Sequence, residues 1–194
     1  MKSPWRLRDY VFAAFMTIGM VASVFVIGPF VPPFLDLVAW APFGGIFLTL
    51  GMARLQNRGS IALMILPLAL LLAPLSLFIT LYLVLTTVVA EAVVFFCGNY
   101  RAKRNRLLGT VVFFVSAVVI GLGSIVLLAN LVNAGTVPGD GLAEMLSKFA
   151  TLLNNPWLIG VLAIVTGILG TVGWWMGEKI VQQLRRAGKL DADS

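Results

Sequence analysis

Residues 60–97 read SIALMILPLALLLAPLSLFITLYLVLTTVVAEAVVFFC, 38 residues with one charge, Glu91. One straight helix of that length would measure about 57 Å at roughly 1.5 Å per residue. A bilayer's hydrocarbon core is only about 30 Å thick. The stretch is therefore expected to be a hairpin of two spans, 60–75 and 77–98. Pro74 and the Leu75-Ser76 after it form the expected corner, and Pro67 is expected to kink the first arm because its ring removes a helix hydrogen bond.

Other apolar runs flank this hairpin. One covers residues 10–28 and ends at Pro29, and another covers 35–53. Two more cover 108–131 and 157–176. The first run is long and has no small-residue cleavage site before a soluble domain, so it reads as a retained helix and not a signal peptide. Between the last two runs, residues 132–156 hold turn chemistry around Pro138-Gly139-Asp140-Gly141. There Leu142, Met145, Leu146, Phe149 and Leu153 share one helical face, which predicts a short amphipathic helix in an outer loop.

Charge gives the orientation. Thirteen of the fourteen Lys and Arg residues fall into four clusters: Lys2, Arg6 and Arg8; Arg54 and Arg58; Arg101, Lys103, Arg104 and Arg106; Lys179, Arg185, Arg186 and Lys189. Only Lys148 lies elsewhere. Basic residues beside membrane spans stay in the cytoplasm, and two spans between successive clusters put all four on one face. The expected fold is an all-α polytopic membrane protein with six transmembrane helices, both termini cytoplasmic, in the plasma membrane.

Composition agrees and narrows the function. The chain has 194 residues, 60% of them hydrophobic and 11% charged, against about 25% charged in a soluble domain. The net charge of +6 is explained by topology and by anionic lipid, so nucleic acid is not an expected partner. There is no His and one Cys, Cys97. That removes the commonest general base and metal ligand, and no catalytic residue, metal site or cofactor is expected. No Walker A sequence is present, so ATP hydrolysis would belong to another subunit.

A few polar residues stand out against this background. Glu91 is expected either to contact a ligand or to brace a neighbouring helix, since an intramembrane carboxylate is costly. Asp36 and Trp40 lie one helical turn apart at the outer end of the second span. They read as the mouth of a pocket, or as a capping acid and an interfacial ring. Tyr82 and Asn133 complete the candidate substrate-binding set, and convergence of these five on one outer pocket would favour a binding protein over a scaffold. In the first span, Ala13 with Thr17 and Gly19 with Ser23 have small-residue spacing that lets another helix approach. Gly170, Gly173 and Gly177 form a smooth groove on the last span, with packing inside the bundle as its simplest use.

Several stretches carry a family resemblance. They are Trp5-Arg6-Leu7-Arg8-Asp9, Trp40-Ala41-Pro42-Phe43-Gly44-Gly45, Arg58-Gly59-Ser60, and Ala90-Glu91 ahead of Tyr100-Arg101-Ala102-Lys103-Arg104-Asn105-Arg106. The ending Gly170-Thr171-Val172-Gly173 through Lys179 to Arg186-Ala187-Gly188 belongs with them. In this order and spacing the chain resembles the S component of an energy-coupling factor (ECF) transporter, within the MptS/Trep_Strep-like integral membrane proteins. The resemblance implies a substrate-binding subunit of an ABC importer for a vitamin, vitamin precursor or related micronutrient. It implies a separate transmembrane coupling protein and two ATPase subunits as partners. Ala13 and Thr17 would be the docking residues, with AxxxT in place of the usual AxxxA. The alternative from another class is a non-transporting membrane scaffold or assembly subunit.

Overall fold

The computed structural model describes residues 5–32, 35–74, 77–133, 155 and 157–188. Among them are six α-helices and no strand: α1 (Leu7–Ile27), α2 (Asp36–Leu55), α3 (Ser60–Leu72), α4 (Leu77–Cys97), α5 (Lys103–Asn133) and α6 (Trp157–Arg186). Five are long and apolar enough to cross a membrane. The sixth, α3, has 13 residues, about 20 Å of rise, and stops short of the expected residue 75. The expected amphipathic helix in 132–156 lies almost wholly outside the described residues.

Local chemistry sets the ends of these helices. At the start of α1 the Arg6 N–H donates to Asp9 Oδ2 at 3.0 Å and the Asp9 N–H to the Arg6 carbonyl at 2.8 Å. Gly28 and Pro29 then turn α1 into a short 3₁₀ segment, Gly28–Phe30. Gln56 and Gly59, with φ of 56° and 86°, make the turn from α2 to α3. Gly98, with φ of 126°, stops α4, where a residue with a Cβ would be strained. Two helices run past their expected ends. α5 starts at Lys103, inside the expected basic loop, and α6 continues ten residues beyond Met176 to Arg186. Their sequences change from apolar to basic without a proline, so the helices leave the apolar zone intact.

Neighbouring contacts close a ring in the order α1, α2, α6, α5, α4, α3, and α2 also reaches α3 and α5 across it. The tightest crossing joins α2 to α6. A Cβ on Gly45 would lie 3.0 Å from Gly173 Cα and 3.0 Å from the Gly170 carbonyl oxygen. A Cβ on Gly177 would lie 2.8 Å from Thr49 Cβ. The glycine groove is therefore filled by α2 and is not offered to an outside partner. Gly45 thus admits α6, while Gly44 leaves room for the rings of Trp40 and Phe114.

The interior is apolar, with Leu48, Met52, Ile61, Met64 and Phe114 fully buried. The outside is apolar too: Phe15, Phe25, Leu71, Phe96, Leu127 and Ile164 are all exposed. A water-soluble surface rarely carries a continuous apolar area of this kind, whereas hydrocarbon is a suitable solvent for it. The helices meet head to tail, so Arg6, Arg58, Arg104 and Arg185 gather at one end, called the basic end below. The opposite half holds, among the described residues, one charged side chain, Asp36.

Candidate functional site

A cavity of about 480 Å³ opens in the half opposite the basic end. Each of the six helices supplies part of its wall: Met20 from α1, Trp40 from α2, Leu68 from α3, Tyr82 from α4, Ala117 from α5 and Leu162 from α6. The wall is almost entirely apolar, because each helix turns inward the same kind of residue it shows to lipid. Asp36, Trp40 and Tyr82 are its polar exceptions.

These three are held differently. Asp36 opens α2 and remains exposed at the mouth, and its Oδ1 accepts the Leu37 N–H at 2.8 Å. It lines the same cavity as Tyr82. Trp40 donates its indole N–H to Ser23 Oγ at 2.7 Å, and Ser23 donates in turn to the Met20 carbonyl at 2.7 Å. Its ring meets Phe114 edge-on, with centroids 5.5 Å apart. Trp40 therefore presents a fixed ring with its one donor already used. Tyr82 packs over Gly121, where a Cβ would lie 3.0 Å from the ring.

Glu91 is not in the cavity wall. Its carboxylate sits at the basic end, where Oε2 accepts the Gly59 N–H at 2.9 Å and Oε1 accepts those of Ile61 at 2.8 Å and Ala62 at 3.2 Å. The first N–H groups of a helix have no partner within it, and the acid of α4 supplies one for α3. Of the two uses expected for Glu91, bracing is the observed one. The buried Tyr100 hydroxyl faces this carboxylate without closing a well-formed hydrogen bond. Burial first, and the Glu91 charge second, raise the phenol's titration far above its ordinary range. Asn133 ends α5, and its side chain lies outside the described residues.

Ala13 and Thr17 also require correction. Ala13 is 1% exposed. Thr17 donates to the Ala13 carbonyl at 2.9 Å and to the Met64 carbonyl of α3 at 2.7 Å. Their stripe faces into the chain, toward α3, so a partner could not use it without displacing α3. The close helix approach expected of small residues takes place inside the molecule.

The basic end contains a buried ion pair that sequence reading did not single out. Arg106 Nε donates to Glu178 Oε1 at 2.5 Å, with the side chains 1% and 6% exposed. Arg106 Nη1 also donates to the carbonyls of Tyr100 and Arg101, at 2.7 and 2.8 Å. Asn105 donates to the Cys97 and Asn99 carbonyls, and Arg58 to the Gly98 carbonyl at 2.9 Å. The basic cluster at 101–106 thus divides in two. Arg101, Lys103 and Arg104 are exposed, while Asn105 and Arg106 hold the turn together. One signal for the pair was available: Glu178 directly follows Gly177 on the glycine face of α6 and precedes buried Val181.

Comparison with known proteins gives one match. A family model described as a hypothetical bacterial integral membrane protein (Trep_Strep) matches residues 8–184. The chain belongs to this family, and it is an integral membrane protein. No curated protein and no solved structure matches it.

Proposed function

We propose that this Trep_Strep member is a substrate-binding membrane subunit that captures a small, largely apolar organic molecule in the cavity opposite its basic end. The observation that carries this reading is the cavity itself. Its volume of about 480 Å³ lies within the range of roughly 300–1,000 Å³ usual for small-molecule sites. Its apolar wall with a few polar groups is also usual for such sites. By the charge rule the basic end is cytoplasmic, both termini with it, and the cavity opens toward the outer face of the cell membrane.

In this reading the chain serves as the S component of an ECF-type importer for a vitamin, vitamin precursor or similar micronutrient. A transmembrane coupling protein and two ATPase subunits then provide the power stroke. The lack of a Walker A sequence in this chain accords with a dependent subunit. One observation favours the opposing scaffold reading: Glu91, Arg106 and Glu178 are all used to brace the bundle.

The test is native mass spectrometry of the full chain purified in nanodiscs from bacterial membranes, with its membrane partners retained. A stoichiometric small organic adduct together with ATPase subunits supports the importer. Purified protein with neither adduct nor ATPase would refute it and leave the scaffold.

A further inference from the structure

We infer that the cavity selects an amphipathic cation, an apolar body carrying one protonated amine or equivalent positive group that pairs with Asp36. The inference rests on the binding reading above and specifies its ligand class. Among the described residues of this half of the molecule, Asp36 is the one full charge. The Arg and Lys clusters lie at the other end of the bundle. A carboxylate or phosphate ligand would therefore meet a negative mouth and no counter-charge in the described wall.

Helix dipoles do not reverse this sign. The N-terminus of α2 contributes roughly half a positive charge against the whole negative charge of Asp36. Three helices start and three end in this half, so their dipoles largely cancel. The Leu37 N–H occupies Oδ1, and no hydrogen bond from another described residue occupies Oδ2. Aromatic rings beside the acid suit the same ligand. Trp40, Tyr82 and Phe78 line the cavity, and ring faces attract cations. With its indole N–H already donated to Ser23, Trp40 contributes surface and not a hydrogen bond. The rest of the wall, from Ile65 to Leu162, is suited to a hydrocarbon or aryl body.

The experiment uses three probes of one shape: 4-phenylbutylammonium, 4-phenylbutanol and 4-phenylbutyrate. Binding to the full chain in zwitterionic nanodiscs is measured by saturation-transfer NMR and equilibrium dialysis. Gly28→Phe is the blocking control. Gly28 lines the cavity, has φ of −50°, and a Cβ there meets nothing within 4 Å.

The expected result is binding of the ammonium about 10- to 100-fold tighter than the alcohol, the range for a hydrogen bond to a charged group, with the carboxylate weakest. Asp36→Asn should remove that advantage and leave the alcohol unchanged, Asp36→Glu should restore most of it, and Gly28→Phe should abolish binding of both. Equal binding of ammonium and alcohol, or an ammonium affinity unchanged in Asp36→Asn, would overturn the cation inference while leaving the cavity as a binding site. If no probe binds in a Gly28→Phe-sensitive manner, the inference and the binding reading fall together.

Discussion

Replacing Glu91 separates a brace from a ligand contact. In Glu91→Ala, the N–H groups of Gly59, Ile61 and Ala62 lose their acceptor at the start of α3. Loss of a capping side chain typically costs about 0.5–2 kcal/mol, and a polar group left without a partner costs about 1–3 kcal/mol. Water reaches part of this site, because Glu91 is only half-buried. Together these give about 2–4 kcal/mol. For a chain of this size that corresponds to roughly 4–16 °C in Tm, by the scaling for soluble domains.

Glu91→Gln is expected to fall between wild type and Ala. Its amide oxygen can still accept from Ile61 and Ala62, but its NH₂ then faces the Gly59 N–H as a second donor. The assay is thermal unfolding in detergent, followed by tryptophan fluorescence, beside binding of a cavity probe at a temperature where all variants are folded. Binding should be unchanged in both variants. A Tm within 1 °C of wild type in Glu91→Ala, or lost binding at full stability, would refute the bracing argument.

Other consequences can be checked with the same preparation. Glu178→Ala leaves the buried Arg106 charge with only two carbonyl partners, and should cost about 3–5 kcal/mol. The double change Arg106→Met with Glu178→Leu should recover most of that loss, because an apolar pair of similar volume is often as stable; a double variant no better than the single one would contradict this. Gly173→Ala should lower Tm and Gly160→Ala should not. A Cβ on Gly173 drives into the Pro42 carbonyl, and one on Gly160 meets open space; equal effects would argue against the α2–α6 crossing. A cysteine placed at Arg104, after removal of the exposed Cys97, should be labelled only from inside intact cells, and labelling only from outside would reverse the proposed orientation.

Residues 60–97 show why much of the bundle could be read in advance. Chain length against bilayer thickness is a hard constraint, and Pro74 left few choices for the corner. The α6 glycines were legible as packing surface, because their three- and four-residue spacing fixes a common face. Asp36, Trp40 and Tyr82 could be selected because a polar group in an apolar run is conspicuous. Glu91 was equally conspicuous, but its partners are backbone N–H groups, which every sequence contains and none advertises. The Arg106–Glu178 pair was hidden by its surroundings. Arg106 sits among basic neighbours that read as solvated, Glu178 stands beside Lys179 just past the apolar run, and 72 positions separate them. Thr17 satisfied a small-residue pattern without indicating which helix it would meet.

The unbroken course of α6 joins the cavity half of the protein to its basic end. Leu162 stands in the cavity wall, Gly173 lies at the close crossing with α2, and Arg186 ends the helix at the basic end. At about 1.5 Å per residue, the crossing divides this length into arms of about 16 and 20 Å. The longer arm is not free, because Gly177 lies against Thr49, Glu178 pairs with Arg106 and Val181 packs with Ala53. The cavity wall at Leu162 is thus built on a rod that is clamped over its whole basic half.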